Sequence, residues 1–192
     1  MNESIGIRIG RRALLAGALA VAACSPGEEV PVQGARIGGP FALTDQNGRT
    51  VRDSDFAGRY RLIYFGYTYC PDACPADLLV IGDALKRFEQ QAPQRARRVQ
   101  PIFITVDPAR DTPPVLKEYV ANFHPRLIGL TGTKEQIEQV RSEFGIAVSD
   151  RGDFIEHPRV ALLLGPDGRP IALIPPDPKV EAMAETLDRW VK

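Results

Sequence analysis

The stretch RLIYFGYTYCPDACPADLL, residues 61–79, carries an apolar strand into two cysteines and straight on into a helix. Leu62, Ile63, Tyr64 and Phe65 are apolar and aromatic residues of the kind that fill a buried strand. After the cysteines, Leu78, Leu79, Gly82, Leu85 and Phe88 recur at helical spacing. Cys70 and Cys74 therefore stand at a strand-to-helix turn, in the pattern C-P-D-A-C-P. Pro75 disfavours the α region at Cys74 and itself suits the first helical position, which predicts a helix starting at Cys74 and Pro75. The unsatisfied N–H groups and positive partial charge of a helix N-terminus favour a thiolate over a thiol. Both cysteines are accordingly expected to have lowered pKa values and to be reactive or metal-binding. A plain stabilising disulfide ranks below this, because so short a loop removes little unfolded-state entropy.

The chain has 192 residues, 44% hydrophobic and 25% charged, enough for one well-buried domain and a tail. Its formal net charge is zero, so it lacks the general basic field that attracts nucleic acid, and no nucleic-acid partner is expected. Residues 1–24 read as an export signal: Arg8, Arg11 and Arg12 form a positive start, and the apolar run 13–23 is too short to cross a bilayer. The run ends Val21-Ala22-Ala23-Cys24-Ser25, which resembles the lipobox of bacterial lipoproteins and makes Cys24 the expected lipid anchor. Arg11-Arg12 weakly resembles a twin-arginine signal. Residues 25–36, with Gly, Pro and Glu and few large apolar side chains, read as a flexible tether, and 37–192 as the folded domain. The expected location is the periplasmic face of a bacterial membrane. With Cys24 assigned to the tail, Cys70 and Cys74 are the remaining pair in an oxidising compartment, able to form a disulfide or to hold metal.

The domain opens with a hairpin turning at Asn47-Gly48. Residues 99–106, VQPIFITV, read as a buried strand, followed by a helix with Val115, Leu116, Tyr119, Val120 and Phe123 on its apolar positions. A short strand at 127–130 precedes a capping box, Thr133 to Gln136, that opens a helix carrying Ile137, Val140 and Phe144. Residues 150–156 read as a polar loop. His157-Pro158 then leads into a strand at 160–164, a Gly-Pro-Asp-Gly turn, a pairing strand around 171–174 and a last helix capped by Asp177 and Pro178. This order predicts an α/β domain of thioredoxin-like fold: a central mixed sheet flanked by helices, with the N-terminal β-hairpin as an extension. Cys70 and Asp107 both follow strands, so they share the edge where such sheets gather ligands.

The runs YFGYTYCPDACPADL, FITVDPARDTPPVLKEYV and HPRVALLLGPDG resemble, in order and spacing, the SCO/SenC family of copper chaperones, from about Gly38 to the C-terminus. The resemblance implies a thioredoxin fold tethered outside a membrane. It implies a copper ion, Cu(I) or Cu(II), held by Cys70, Cys74 and His157, and a role in maturing the binuclear copper centre of cytochrome c oxidase. The implied partner is the copper-bearing oxidase subunit or another copper-site protein. The chain departs from the family in having Pro158, where a small hydroxyl residue usually follows the histidine, and in a loop before His157 that looks shorter than usual. Independently of the family, cuprous ion is soft and favours thiolates, and two sulfurs with one imidazole suit either oxidation state.

The competing function is an extracytoplasmic thiol-disulfide oxidoreductase using Cys70 and Cys74 as a redox-active pair, without obligatory copper. Pro158 favours it, because thioredoxins place a cis-proline opposite the redox pair; the reading predicts a cis peptide at His157–Pro158. Elsewhere, His124 is expected to be solvated at a helix end, Asp111 to cap a helix, and Tyr64, Tyr67 and Tyr69 to be core or rim aromatics.

Overall fold

The structure, a computed structural model, describes residues 30–152, 154–176 and 179–192. The export signal, Cys24, the first part of the tether and the Asp177-Pro178 cap lie outside the described residues.

The apolar run after Gly58 forms β4 (Tyr60–Gly66), and VQPIFIT forms β5 (Val99–Thr105). All seven residues of each are buried, as expected of parallel strands covered on both faces. They pair in parallel from Tyr60 opposite Val99 to Gly66 opposite Thr105. Between them run α1 (Ala73–Gln91) and the short α2 (Pro93–Ala96). After β5 come α3 (Pro113–Val120), β6 (Ile128–Thr131), parallel to β5, and α4 (Lys134–Glu143). The predicted capping box is present: Thr133 Oγ1 accepts from the Gln136 N–H at 3.2 Å, and Gln136 Oε1 accepts from the Thr133 N–H at 2.8 Å.

The hairpin at Asn47-Gly48 forms β2 (Ala42–Asp45) and β3 (Thr50–Arg52), and β2 joins β6 antiparallel. At the other side, β9 (Ala161–Leu164) lies antiparallel to β4, and β10 (Pro170–Ile174) pairs with β9. The last helix is α5 (Val180–Trp190), which packs against α1. The sheet is eight-stranded and mixed. Its outermost strand on the β10 side is β1 (Val30–Pro31), which sits inside the stretch read as a tether. Two residues suffice there, because an edge strand needs partners on one side alone. Gly82 of α1 is a close-approach position: a Cβ there would meet the Phe123 carbonyl oxygen at 2.5 Å.

Two local expectations are corrected. Where a polar loop is expected at 150–156, β7 (Ser149–Asp150) and β8 (Ile155–Glu156) form a small antiparallel ribbon that turns through Gly152 at φ 85°. His124 is not solvated: it is 2% exposed, its Nδ1 accepts from the Arg126 N–H at 3.2 Å, and its Nε2 lies 3.4 Å from Glu89. Burial outweighs the nearby Glu89 carboxylate and holds the His124 pKa below its ordinary value. The unfolded chain therefore takes up this proton first, and stability should fall as pH drops below about 6.5. Denaturant melts at pH 7.5 and 5.5 are expected to show that loss, and a His124→Gln variant should show a smaller one.

Candidate metal centre

The cysteines sit at the end of β4, as the sequence predicts. The helix begins at Ala73, with Asp72 as its N-cap, so Cys74 lies in the first turn. Its N–H points at the Cys70 sulfur, 3.3 Å away. Cys74 is fully buried, and a Cβ added at Gly66 would come within 3.2 Å of its sulfur and 2.9 Å of the Tyr64 ring. Gly66 is what lets the thiol settle against the strand end.

The loop between strand and helix is moored by a side chain assigned to another task. Asp111 is fully buried and accepts from the Thr68 N–H at 3.0 Å, the Thr68 hydroxyl at 2.5 Å and the Thr105 hydroxyl at 2.6 Å. It does not cap α3, whose N-cap is Thr112. Asp107 shares the strand edge with Cys70, as expected, and is ion-paired with Arg110. The Arg110 guanidinium lies 4.9 Å over the ring of Tyr69, which is exposed at the rim, whereas Tyr64 and Tyr67 are core.

His157 arrives from the far side of the sequence on the segment between β8 and β9. Because β9 pairs with β4, that segment ends beside the cysteine turn, and His157 Nε2 lies 3.2 Å from Cys74 Sγ across 83 residues. Its Nδ1 is 3.1 Å from the Pro158 carbonyl, which can only accept. Nδ1 therefore carries the proton and Nε2 turns its lone pair to the thiol, a tautomer assigned from partners. The imidazole stands edge-on to the rings of Tyr64 and Tyr67 at centroid distances of 6.1 and 5.9 Å. Among the described residues there is no cis peptide bond, so the expectation of a cis His157–Pro158 bond is not met, and Pro158 gives no argument for disulfide exchange.

The expectation of two low-pKa cysteines holds for one of them. Burial works against the Cys70 thiolate, but the N–H groups of Cys74 and Asp72, the Cys74 thiol and the Tyr67 hydroxyl together outweigh it and lower the pKa. Cys74 goes the other way: burial, with the neighbouring Cys70 charge, pushes its pKa far up. Burial likewise lowers that of His157. Of the two cysteines, Cys70 is the one that ionises more readily, while Cys74 is a thiol with two acceptors in reach and His157 a neutral imidazole. Both thiols are free. Iodoacetamide at pH 7 should thus modify Cys70 at least ~100-fold faster than Cys74, since thiolate fraction and access act in the same direction; peptide mass spectrometry after a timed quench measures the ratio.

Among the described residues, no group of three or more His, Cys, Asp or Glu side chains stands ready-made as a metal cage. The arrangement is a His157–Cys74 contact with Cys70 beside it. At zinc-like bond lengths of about 2.3 Å to sulfur and 2.0 Å to nitrogen, a bridged sulfur and nitrogen would stand roughly 3.3–3.8 Å apart, a little wider than the Cys74–His157 contact.

Two further residues escaped the sequence reading. Asp77 lies three positions after Cys74 on the same helical face and is 2% exposed. It accepts from the Tyr64 hydroxyl at 2.8 Å and from the forked guanidinium of Arg159, whose Nε is 3.0 Å from Oδ2. A carboxylate among Leu78, Ile81 and Leu85 on a buried stripe was the available signal, because such a charge needs a partner.

The geometry agrees with the comparisons. The family model SCO1/SenC matches residues 30–192. An SCO2-like protein of Rickettsia prowazekii is 42% identical over 141 residues, 70% of this chain and 67% of that protein. The mitochondrial SCO2 homologue of Bos taurus is 43% identical over 136 residues, and there the chain spans only 50% of the relative's length. Among solved structures, Bradyrhizobium japonicum ScoI with copper bound superposes with a TM-score of 0.72 at 38% identity, covering 80% of this chain and 99% of that one. On a match that takes in the whole folded domain and the cysteine turn, the chain belongs to the SCO1/SenC family.

Proposed function

We propose that Cys70, Cys74 and His157 bind a copper ion and pass it to the binuclear copper site of cytochrome c oxidase or to another copper-site protein. The observation that carries this is the 3.2 Å approach of His157 Nε2 to Cys74 Sγ, supported by the copper carried by the ScoI structure. Two thiolates leave a Cu(I) site with one negative charge and a Cu(II) site with none, and the N–H groups at the start of α1 favour the former charge. Three protein ligands leave one side open for an incoming ligand, which suits transfer by exchange. The work is done outside a membrane, with Cys24 as the lipid anchor.

The Cys70–Cys74 asymmetry favours a second activity of the same pair. The Cys70 thiolate attacks a partner disulfide and forms a mixed disulfide, and the partner's other sulfur leaves as a thiolate. The departing partner thiolate takes the Cys74 proton, and the Cys74 thiolate attacks Cys70 Sγ, which releases the partner's second sulfur as a thiolate, leaving the partner reduced and Cys70–Cys74 oxidised. Reduction of an acceptor's cysteines in this way prepares them to take copper.

Titration of the reduced domain with Cu(I) and Cu(II), beside His157→Ala, separates the two. The copper reading expects one tightly bound ion and a large loss of affinity in the variant. Weak binding by the wild type with disulfide exchange retained would overturn it, because dithiol exchange has no obligatory use for the imidazole.

A further inference from the structure

The segment that bears His157 belongs to no ladder. Strand β8 ends at Glu156 and β9 begins at Ala161, and between them His157 and Arg159 make side-chain contacts to the rest of the molecule. Two of those contacts reach α1, and they form matched rungs. Cys74 meets His157, and Asp77 meets Arg159. On a helix, residues three apart share a face at about 4.5 Å of rise. On extended chain, residues two apart share a face at about 6.6 Å. The two spacings differ by about 2 Å, which the long Arg159 side chain takes up, so both rungs close at once, and a two-point attachment fixes where the segment sits and how it is turned.

The rungs differ in character. The Cys74–His157 contact is the one that metal insertion or thiol exchange must open. The Asp77–Arg159 contact touches neither sulfur. It is a bidentate guanidinium fork on a carboxylate that is 2% exposed, steadied by the Tyr64 hydroxyl at 2.8 Å, with Tyr64 also edge-on to His157. A fork of this kind specifies direction as well as distance, which a lysine does not reproduce.

We infer that Arg159, through its fork on Asp77, is a positioning residue that keeps His157 within ligand distance of Cys74 when the site holds no metal. The inference rests on the reading of His157 as the third copper ligand. It assigns no contact between Arg159 and the metal.

The test compares Arg159→Met and Arg159→Lys, each alone and combined with His157→Ala, in the reduced domain. Arg159 is mostly exposed, so these variants are chosen in place of changes at buried Asp77. Cu(I) affinity is read by competition with a chelator. A second readout is the His157 ring-proton NMR signal of the metal-free protein, which the nearby Tyr64 and Tyr67 rings are expected to shift. Arg159→Met should weaken Cu(I) binding about 10- to 100-fold, the usual cost of losing a residue that orients a ligand. Arg159→Lys should recover little of it, and neither should weaken binding further once His157 is alanine. The His157 signal should move towards that of a free imidazole. Unchanged affinity with an unmoved signal would overturn the inference, as would an equal loss in the His157→Ala background, which marks a general structural effect. If the wild type fails to bind Cu(I), the copper reading falls, while a His157 signal that still moves on Arg159→Met supports the positioning role.

Discussion

Cys74→Ser is expected to weaken Cu(I) binding by about 10²–10³-fold while leaving the protein folded. In four-ligand zinc-finger sites, binding energies of roughly 10–16 kcal/mol amount to about 2.5–4 kcal/mol per ligand, which corresponds to that factor. Serine removes the soft sulfur that Cu(I) prefers and supplies a hydroxyl that stays protonated. The fold should survive, because the serine hydroxyl, like the thiol, can still donate to one of the two acceptors in reach, His157 Nε2 or Cys70 Sγ. Chelator competition gives the affinity and a thermal melt the stability. A melt that collapses alongside binding would mean that Cys74 serves chiefly as a packing residue.

The second large effect is expected at Asp111. Its carboxylate gathers the Thr68 N–H and two threonine hydroxyls in a fully buried place, and Asp111→Ala leaves all three without that acceptor. A loss of about 3 kcal/mol is expected, since each orphaned buried donor costs roughly 1–3 kcal/mol and the hydroxyls can partly reorient. Asp111→Asn should cost only about 1 kcal/mol, because the amide oxygen still accepts and the buried charge is gone. Burial, more than the hydrogen bonds that oppose it, raises the Asp111 pKa. Its share of stability is therefore fully present below the unfolded value of 3.8 and lost as pH rises through the folded value, a contribution that Asp111→Asn removes. Urea unfolding of the two variants at pH 7 and pH 4.5 distinguishes them. Equal losses for both would show that the charge, and not the acceptor geometry, moors the cysteine loop.

Much of this architecture was legible in the sequence because the central elements satisfy several rules at once. Strands β4 and β5 are continuous apolar runs buried on both faces, and α1, α4 and α5 carry helical periodicity with a cap or a turn to mark them. Cys70, Cys74 and His157 were named from the motif and the family likeness, and the pairing of β9 with β4 brings His157 to Cys74. What was illegible depends on distance or on burial. The ribbon at residues 149–156 has two residues in each strand, too few for alternation to show. Asp77 and Arg159 meet across 82 positions, and nothing local in either marks the other. The helix-terminus argument applies equally to both cysteines; burial separates them, and burial is a property of the folded chain.

The central claim is that the two sulfurs and the distant imidazole make one copper site. X-ray absorption at the copper edge of the reduced, Cu(I)-loaded domain addresses it directly. The expected first shell is two sulfur scatterers and one imidazole nitrogen, with the nitrogen lost in His157→Ala. A shell of sulfur alone, unchanged by that substitution, would contradict the assignment of His157 and with it the site as described.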